Sequence, residues 1–205
     1  FKRFAGVDAF DIEINETDPQ KIIDIVSSME PTFGGINLED IKAPECFIIE
    51  KELSKRMGIP VFHDDQHGTA IITAAALQNG LQLAGKDLSE VKIIFSGAGA
   101  AAIAIAHLLL ELGASKENIL MFDSKGLIIH SREVNEYKAF FAQRNDISFA
   151  EAVQGADVFI GVSKGGILSK EMVKSMNSKP IVLAMSNPDP EISYEDGKEA
   201  VTDII

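Results

Sequence analysis

Two pairs of adjacent carboxylates, Glu39-Asp40 and Asp64-Asp65, each follow a short apolar run. Acidic side chains gathered at neighbouring strand ends repel one another unless a cation sits among them. Oxygen ligands without paired histidines or cysteines suit a hard divalent ion, magnesium or manganese, rather than zinc. Spacing alone leaves open the plainer reading of solvated loops or helix caps. A second kind of chemistry is written in Ser96-Gly97-Ala98-Gly99-Ala100-Ala101-Ala102, a Gly-x-Gly-x-x-Ala turn between an apolar strand and an apolar helix. Gly97 permits the tight turn, Gly99 lets the backbone approach a pyrophosphate, and Ala102 allows close helix packing. The helix amides, with Ala98 and Ala100 in the same turn, attract the phosphates.

Asp123 closes the next strand at the distance at which an acid hydrogen-bonds ribose hydroxyls, which favours NAD over NADP. Lys125 is near enough to offset repulsion of a 2′-phosphate if its side chain turns toward the ribose. The run Gly161 to Gly166 follows another buried strand, so Ser163 either lines a nicotinamide pocket or belongs to a plain turn. His63 and His67 bracket the aspartates. Four apart in an expected loop, they read as loop-organising residues rather than zinc ligands. Cys46 reads as a small buried apolar residue.

The elements that must position these groups alternate. The pattern predicts a helix over 19–28, with Asp18 capping it and Pro19 in its first turn, a strand over 35–38, a helix over 44–57 ended by Gly58, and a strand over 59–62. A polar loop, 63–67, then leads into a helix over 69–83. From there the order is strand 91–96, helix 100–112, strand 118–123, helix 148–154, strand 158–162, helix 169–176 and strand 180–186. Such alternation predicts an α/β fold with a doubly wound, Rossmann-type parallel sheet over 64–205, preceded by part of a second α/β domain over 1–63.

Composition limits the partners. A formal charge of −12 over 205 residues disfavours binding to nucleic acid or to an anionic membrane surface. The apolar runs are too short to cross a bilayer, so a soluble protein is expected. One cysteine excludes an internal disulfide framework and points to a reducing, cytoplasmic location. Phe1 begins the chain without an initiator methionine or signal peptide, so a longer gene product is expected.

The wording of the motifs is more specific than their spacing. Residues 33–41, Phe-Gly-Gly-Ile-Asn-Leu-Glu-Asp-Ile, and 60–70, Pro-Val-Phe-His-Asp-Asp-Gln-His-Gly-Thr-Ala, closely resemble the bacterial type of malic enzyme. The resemblance continues through 4–10, 122–126, 155–163 and Ser186-Asn187-Pro188, covering nearly the whole chain. It implies that Glu39, Asp40 and Asp65 ligate magnesium or manganese, that Asp64 lies beside a catalytic lysine, and that Asn187 contacts malate near the nicotinamide. It also implies hydride transfer from malate C2, decarboxylation to an enolate and protonation to pyruvate, in a homo-oligomer of two or more subunits. The family's catalytic lysine and tyrosine match positions upstream of Phe1. Lys2, Tyr137 and Tyr194 do not fit those motifs, and a second substrate asparagine is expected beyond Ile205. Two alternatives stay open: a malolactic activity yielding lactate, and a nucleotide-binding segment without turnover.

Overall fold

The computed structural model describes residues 1–205. Its chain opens with a single helical turn, α1 (Lys2–Ala5), and then α2 (Pro19–Ser28), whose Asp18 cap accepts a hydrogen bond from the Lys21 amide as predicted. Strand β1 (Ile36–Leu38), helix α3 (Glu45–Arg56) and strand β2 (Val61–His63) follow. β1 and β2 pair in parallel with Leu38 opposite His63, so Glu39 and Asp64 leave the two strands side by side. A small core of Ile23, Val26, Leu38, Ile49, Leu53 and Met57 binds α2 and α3 to this pair.

Two expectations are corrected here. Gly58 does not end α3 in a left-handed conformation. Met57 turns the chain with extended dihedrals, and the Gly58 amide donates to Glu30 Oε1 at 2.8 Å. Nor is the polar run a loop: Asp64–Gly68 forms a π-helical turn continuous with α4 (Thr69–Ala84). Its composition is polar because it is a helix start, where two aspartates are favoured by the exposed amides.

The remaining elements build one sheet. They are β3 (Ile93–Ser96), α5 (Ala100–Glu111), β4 (Ile119–Asp123), β5 (Gly126–Leu127), α6 (Glu136–Ala139), α7 (Phe149–Val153), β6 (Val158–Gly161), α8 (Lys170–Ser175), β7 (Ile181–Ala184) and α9 (Tyr194–Ala200). The strand order is β5-β4-β3-β6-β7, parallel apart from the short edge strand β5. Side chains alternate between faces as a pleated sheet requires. Ile93, Phe95, Met121 and Ile160 pack under α4 and α5, whereas Ile94, Phe122 and Phe159 pack under α7, α8 and α9. Burial on both faces explains why these strands are apolar throughout rather than alternating with polar residues. The sequence alternation misses α1, β5, α6 and α9, which are too short or too polar to carry a periodic signal.

Below the sheet, Asp157 accepts from Lys86 Nζ at 2.9 Å, the Lys92 amide at 3.0 Å and Asn177 Nδ2 at 2.9 Å, tying the start of β6 to α4 and β3. Burial alone would raise its pKa, but these donors together hold it below the ordinary carboxylate value. A lowered folded-state pKa stabilises the fold above the unfolded value, and that contribution is lost as pH falls through the folded one. Asp157→Asn should therefore cost roughly 1–3 kcal/mol at neutral pH and flatten the acid limb of stability. Denaturant unfolding at neutral and acidic pH checks this; an equal loss at every pH would exclude the charge as the cause.

Candidate active site

The sheet has its switch point between β3 and β6, whose following segments run to opposite faces, and ligands of doubly wound sheets collect at such points. Here the chain leaves β3 through Gly97, which has φ +122° and whose amide donates to the Phe122 carbonyl at 2.8 Å. A Cβ on Gly97 would meet the Val162 carbonyl oxygen at 2.8 Å, so only glycine fits this approach of two backbones. A Cβ on exposed Gly99, by contrast, would meet nothing within 4 Å. No side chain caps α5, which leaves its first-turn amides without a side-chain partner. Ala98 and Ala102 are buried and Ala100 half-buried, so the expected pyrophosphate cradle is a closely packed turn with Gly99 as its exposed position.

Ser163 is exposed at the rim, its Oγ 2.7 Å from that of Ser96. Asn187 is exposed one residue beyond Ser186, at the end of β7. Both flank the same sheet edge as Gly97.

Asp123 also stands at that edge, but its carboxylate is already engaged. Arg132 Nη2 donates to both of its oxygens at 2.8 Å, Lys138 Nζ to one at 3.2 Å, and the Lys125 amide to the other at 2.9 Å. Burial works to raise its pKa, but Arg132 and these other donors hold it below the usual carboxylate range. The compensating charge expected of the Lys125 side chain comes from Arg132 and Lys138 instead, and Lys125 contributes its amide. No local pattern marks Arg132 or Lys138, because the segment that returns them, a loop and the short helix α6, lies outside the sheet alternation.

The acidic pairs lie where the parallel pairing of β1 and β2 delivers them. Asp40, with φ +57°, turns its amide to Asp65 Oδ2 at 2.9 Å, and Asn37 Nδ2 donates to Glu39 Oε2 at 3.2 Å. Glu39, Asp40 and Asp64 are exposed and Asp65 is half-exposed. The three expected ligands lie at the adjoining ends of β1 and β2 without closing into a three-carboxylate cage. Their donor chemistry fits a hard cation: the only ion-pair contact among them is Asp65 with His63 at 3.7 Å. Burial lowers the pKa of His63 against the pull of Asp65, and neither ring nitrogen has a hydrogen-bond partner. His63 therefore does not organise a loop by hydrogen bonding. His67 does bond, to Glu50 Oε1 at 2.6 Å, with Gln66 Nε2 donating to the same carboxylate. Burial pushes the Cys46 thiol up to about 11, in keeping with an inert core residue.

The turn carrying Asp64 and Asp65 packs against α5, and Thr73 in α4 donates to the sulfur of Met185 just before Ser186. The carboxylates, the cradle and the Ser-Asn-Pro segment are thus parts of one packed assembly. Glu191 was invisible to sequence reasoning: fully buried, it accepts from the Ser163 amide and the Ser186 amide, each at 3.1 Å. The only available signal was Gly161 at a strand end, since such glycines mark close approaches.

Residues 66–200 match the family model "Malic enzyme, NAD binding domain" and residues 11–54 match "Malic enzyme, N-terminal domain". The chain is 54% identical over 206 residues to an NAD-dependent malic enzyme of Rhizobium meliloti, a match covering 99% of this chain and 27% of the relative. It is 54% identical over 209 residues to an NADP-dependent malic enzyme of Escherichia coli, covering 100% of this chain and 28% of that one. The crystal structure of an NAD-dependent malic enzyme from Thermotoga maritima superposes with a TM-score of 0.92 at 47% identity, over 97% of this chain and 54% of the other. The chain thus spans little more than a quarter of the length of these two curated relatives.

Gly97→Ala tests the cradle. A left-handed φ and a blocked Cβ should cost roughly 1–3 kcal/mol and weaken dinucleotide binding. Unfolding and equilibrium binding check this, and wild-type values for both would remove Gly97 from the cradle.

Proposed function

Because the chain belongs to the malic enzyme family, we propose that it carries the metal and cofactor machinery for oxidative decarboxylation of malate to pyruvate and carbon dioxide, with reduction of NAD or NADP. The observation that carries this reading is the parallel pairing of β1 and β2. It sets Glu39-Asp40 beside Asp64-Asp65, immediately before a helix that packs along the cradle.

In this reading Glu39, Asp40 and Asp65 hold magnesium or manganese, and Gly97 to Ala102 hold the pyrophosphate of the cofactor. The chemistry that a bound nicotinamide would supply is acceptance of hydride from malate C2, and that of a divalent cation is polarisation of the C2 oxygen. The chain's own residues bind and orient. Asn187 offers its side-chain amide to malate, Ser163 borders the nicotinamide, and Asp64 orients a lysine base that lies outside these 205 residues, as does the tyrosine acid. Asp123 hydrogen-bonds the ribose. Its pairing with Arg132 and Lys138 reduces the charge that a 2′-phosphate would meet, which leaves NADP open beside NAD.

Residues 1–63 then belong to a malate- and metal-binding domain and 64–205 to the dinucleotide domain. A homo-oligomer is part of the same reading, supported by Ile71 and Ile72, which α4 exposes to water. So is a cytoplasmic location, supported by the free thiol of Cys46. No helix is long and apolar enough to cross a membrane.

The test is the full-length polypeptide with malate, manganese and each nicotinamide cofactor in turn. Reduced cofactor and pyruvate should appear in equal amounts; lactate without reduced cofactor would replace this reading with a malolactic one. Asp65→Asn should weaken manganese binding at least about tenfold, or about 1.4 kcal/mol, in an equilibrium titration. Unchanged affinity would remove Asp65 from the ligand set.

A further inference from the structure

We propose that Glu191 is a positioning residue that sets the spacing between the nicotinamide-facing and substrate-facing loops of the site. The proposal rests on the reading of Ser163 and Asn187 given above, and it goes beyond that reading by naming what holds the two apart.

Glu191 is the only acidic residue among the buried residues, with 0% exposure. A carboxylate in that position is costly unless donors surround it. None of the ion pairs in the molecule includes it. Its compensation comes from backbone: Oε1 accepts the Ser163 amide and Oε2 the Ser186 amide. These amides sit just beyond β6 and β7, neighbouring parallel strands in which Gly161 stands opposite Ala184. One side chain therefore cross-links the two strand ends at the edge where the cradle opens.

The surroundings are built to accept it. A Cβ on Gly161 would collide with the Glu191 carboxylate, so the strand carries no side chain there. The backbone around Glu191 is anchored to the β6 loop as well, since the Gly166 amide donates to the Pro190 carbonyl and the Leu168 amide to the Glu191 carbonyl, both at 3.0 Å. Ser163, held from below by Glu191, reaches Ser96 at the end of β3. The linkage runs from the cradle strand through Ser163 and Glu191 to Ser186, whose neighbour is Asn187.

A carboxylate is the group this junction requires. Both of its partners are backbone donors, and an ionised carboxylate presents acceptors only. Glutamine has nearly the same shape but would turn an NH2 group toward one of the two amides. That amide would lose its acceptor, and the loops would separate. Hydride transfer depends on the reacting carbons being held within roughly 3–3.5 Å of each other, so a small separation is felt in turnover.

The test uses the full-length protein with three readouts: binding of ADP-ribose, which occupies the cradle without a nicotinamide, binding of NAD, and malate turnover. Glu191→Gln should leave ADP-ribose affinity within about twofold of wild type. It should lower kcat at least about tenfold, the order expected for a displacement of less than about 1 Å at the reacting atoms, and weaken NAD more than ADP-ribose. The proposal is overturned if ADP-ribose affinity falls in step with NAD affinity, which marks a merely structural role, or if neither kcat nor NAD affinity moves. Should the glutamine variant fail to fold, Glu191→Asp keeps the charge and withdraws the carboxylate by one methylene, and the same criteria apply. If wild type binds NAD but does not oxidise malate, the proposed function fails, while the ADP-ribose and NAD comparison still decides the role of Glu191.

Discussion

The ends of β3 and β6 leave the sheet so close together that a Cβ on Gly97 would meet the Val162 carbonyl oxygen at 2.8 Å. They lie this close because the two strands are paired in register from Ile93-Val158 to Ser96-Gly161, and because the Val162 amide extends that ladder to the Ser96 carbonyl at 2.9 Å. Any side chain at Gly97 would force the strands apart at the point where α5 must begin. With glycine there, α5 can start at the switch point, its first-turn amides uncapped by any side chain. Ser163 and the loop beyond β7 inherit their positions from this junction, since both are referred back to Ser96 and Gly161.

In a chain with a formal charge of −12, each buried carboxylate needs donors of its own. The carboxylates divide accordingly. Asp123, Asp157 and Glu191 are largely or wholly buried and saturated with donors, two of them by lysine or arginine as well as amides and one by amides alone. Each is stable where it stands because every oxygen is answered. Glu39, Asp40 and Asp65 are exposed or half-exposed and meet no lysine or arginine; the one histidine beside them, His63, is buried, and burial lowers its pKa against the pull of Asp65. Carboxylates left uncompensated at adjoining strand ends are suited to a cation from solution in a way that the saturated ones are not.

The sequence was informative wherever a physical demand is local. Asp18 capping α2, the glycine turn after β3 and the acids after two apolar strands each express a requirement met within a few residues, and the structure puts them at helix starts and strand ends. Glu191 could not be read that way. It lies in Pro-Asp-Pro-Glu, a segment that looks like exposed turn, and its burial depends on strands 28 residues away in sequence closing over it. Arg132 and Lys138 carry no such signal either, because they lie in an irregular segment that folds back onto Asp123 from outside the strand and helix alternation. The run from His63 to Gly68 failed differently: its polar composition matched a loop, but two aspartates at a helix start satisfy that composition equally well.

The division of the chain at Asp64 is a division of sequence more than of packing. α3 lies before it, yet Cys46 and Phe47 join the large core with α4 and α5, while Ile49 and Leu53 on the same helix join the small core with α2. Such a helix is a shared wall. Its Glu50 reaches across to Gln66 and His67 in the turn that carries Asp64 and Asp65. The acidic pairs are consequently braced from both sides, by strand pairing on one and by α3 and α5 on the other. Carboxylates borne on an independent lobe could drift relative to the cradle; carboxylates held by a helix that belongs to both cores have their distance to it fixed by packing.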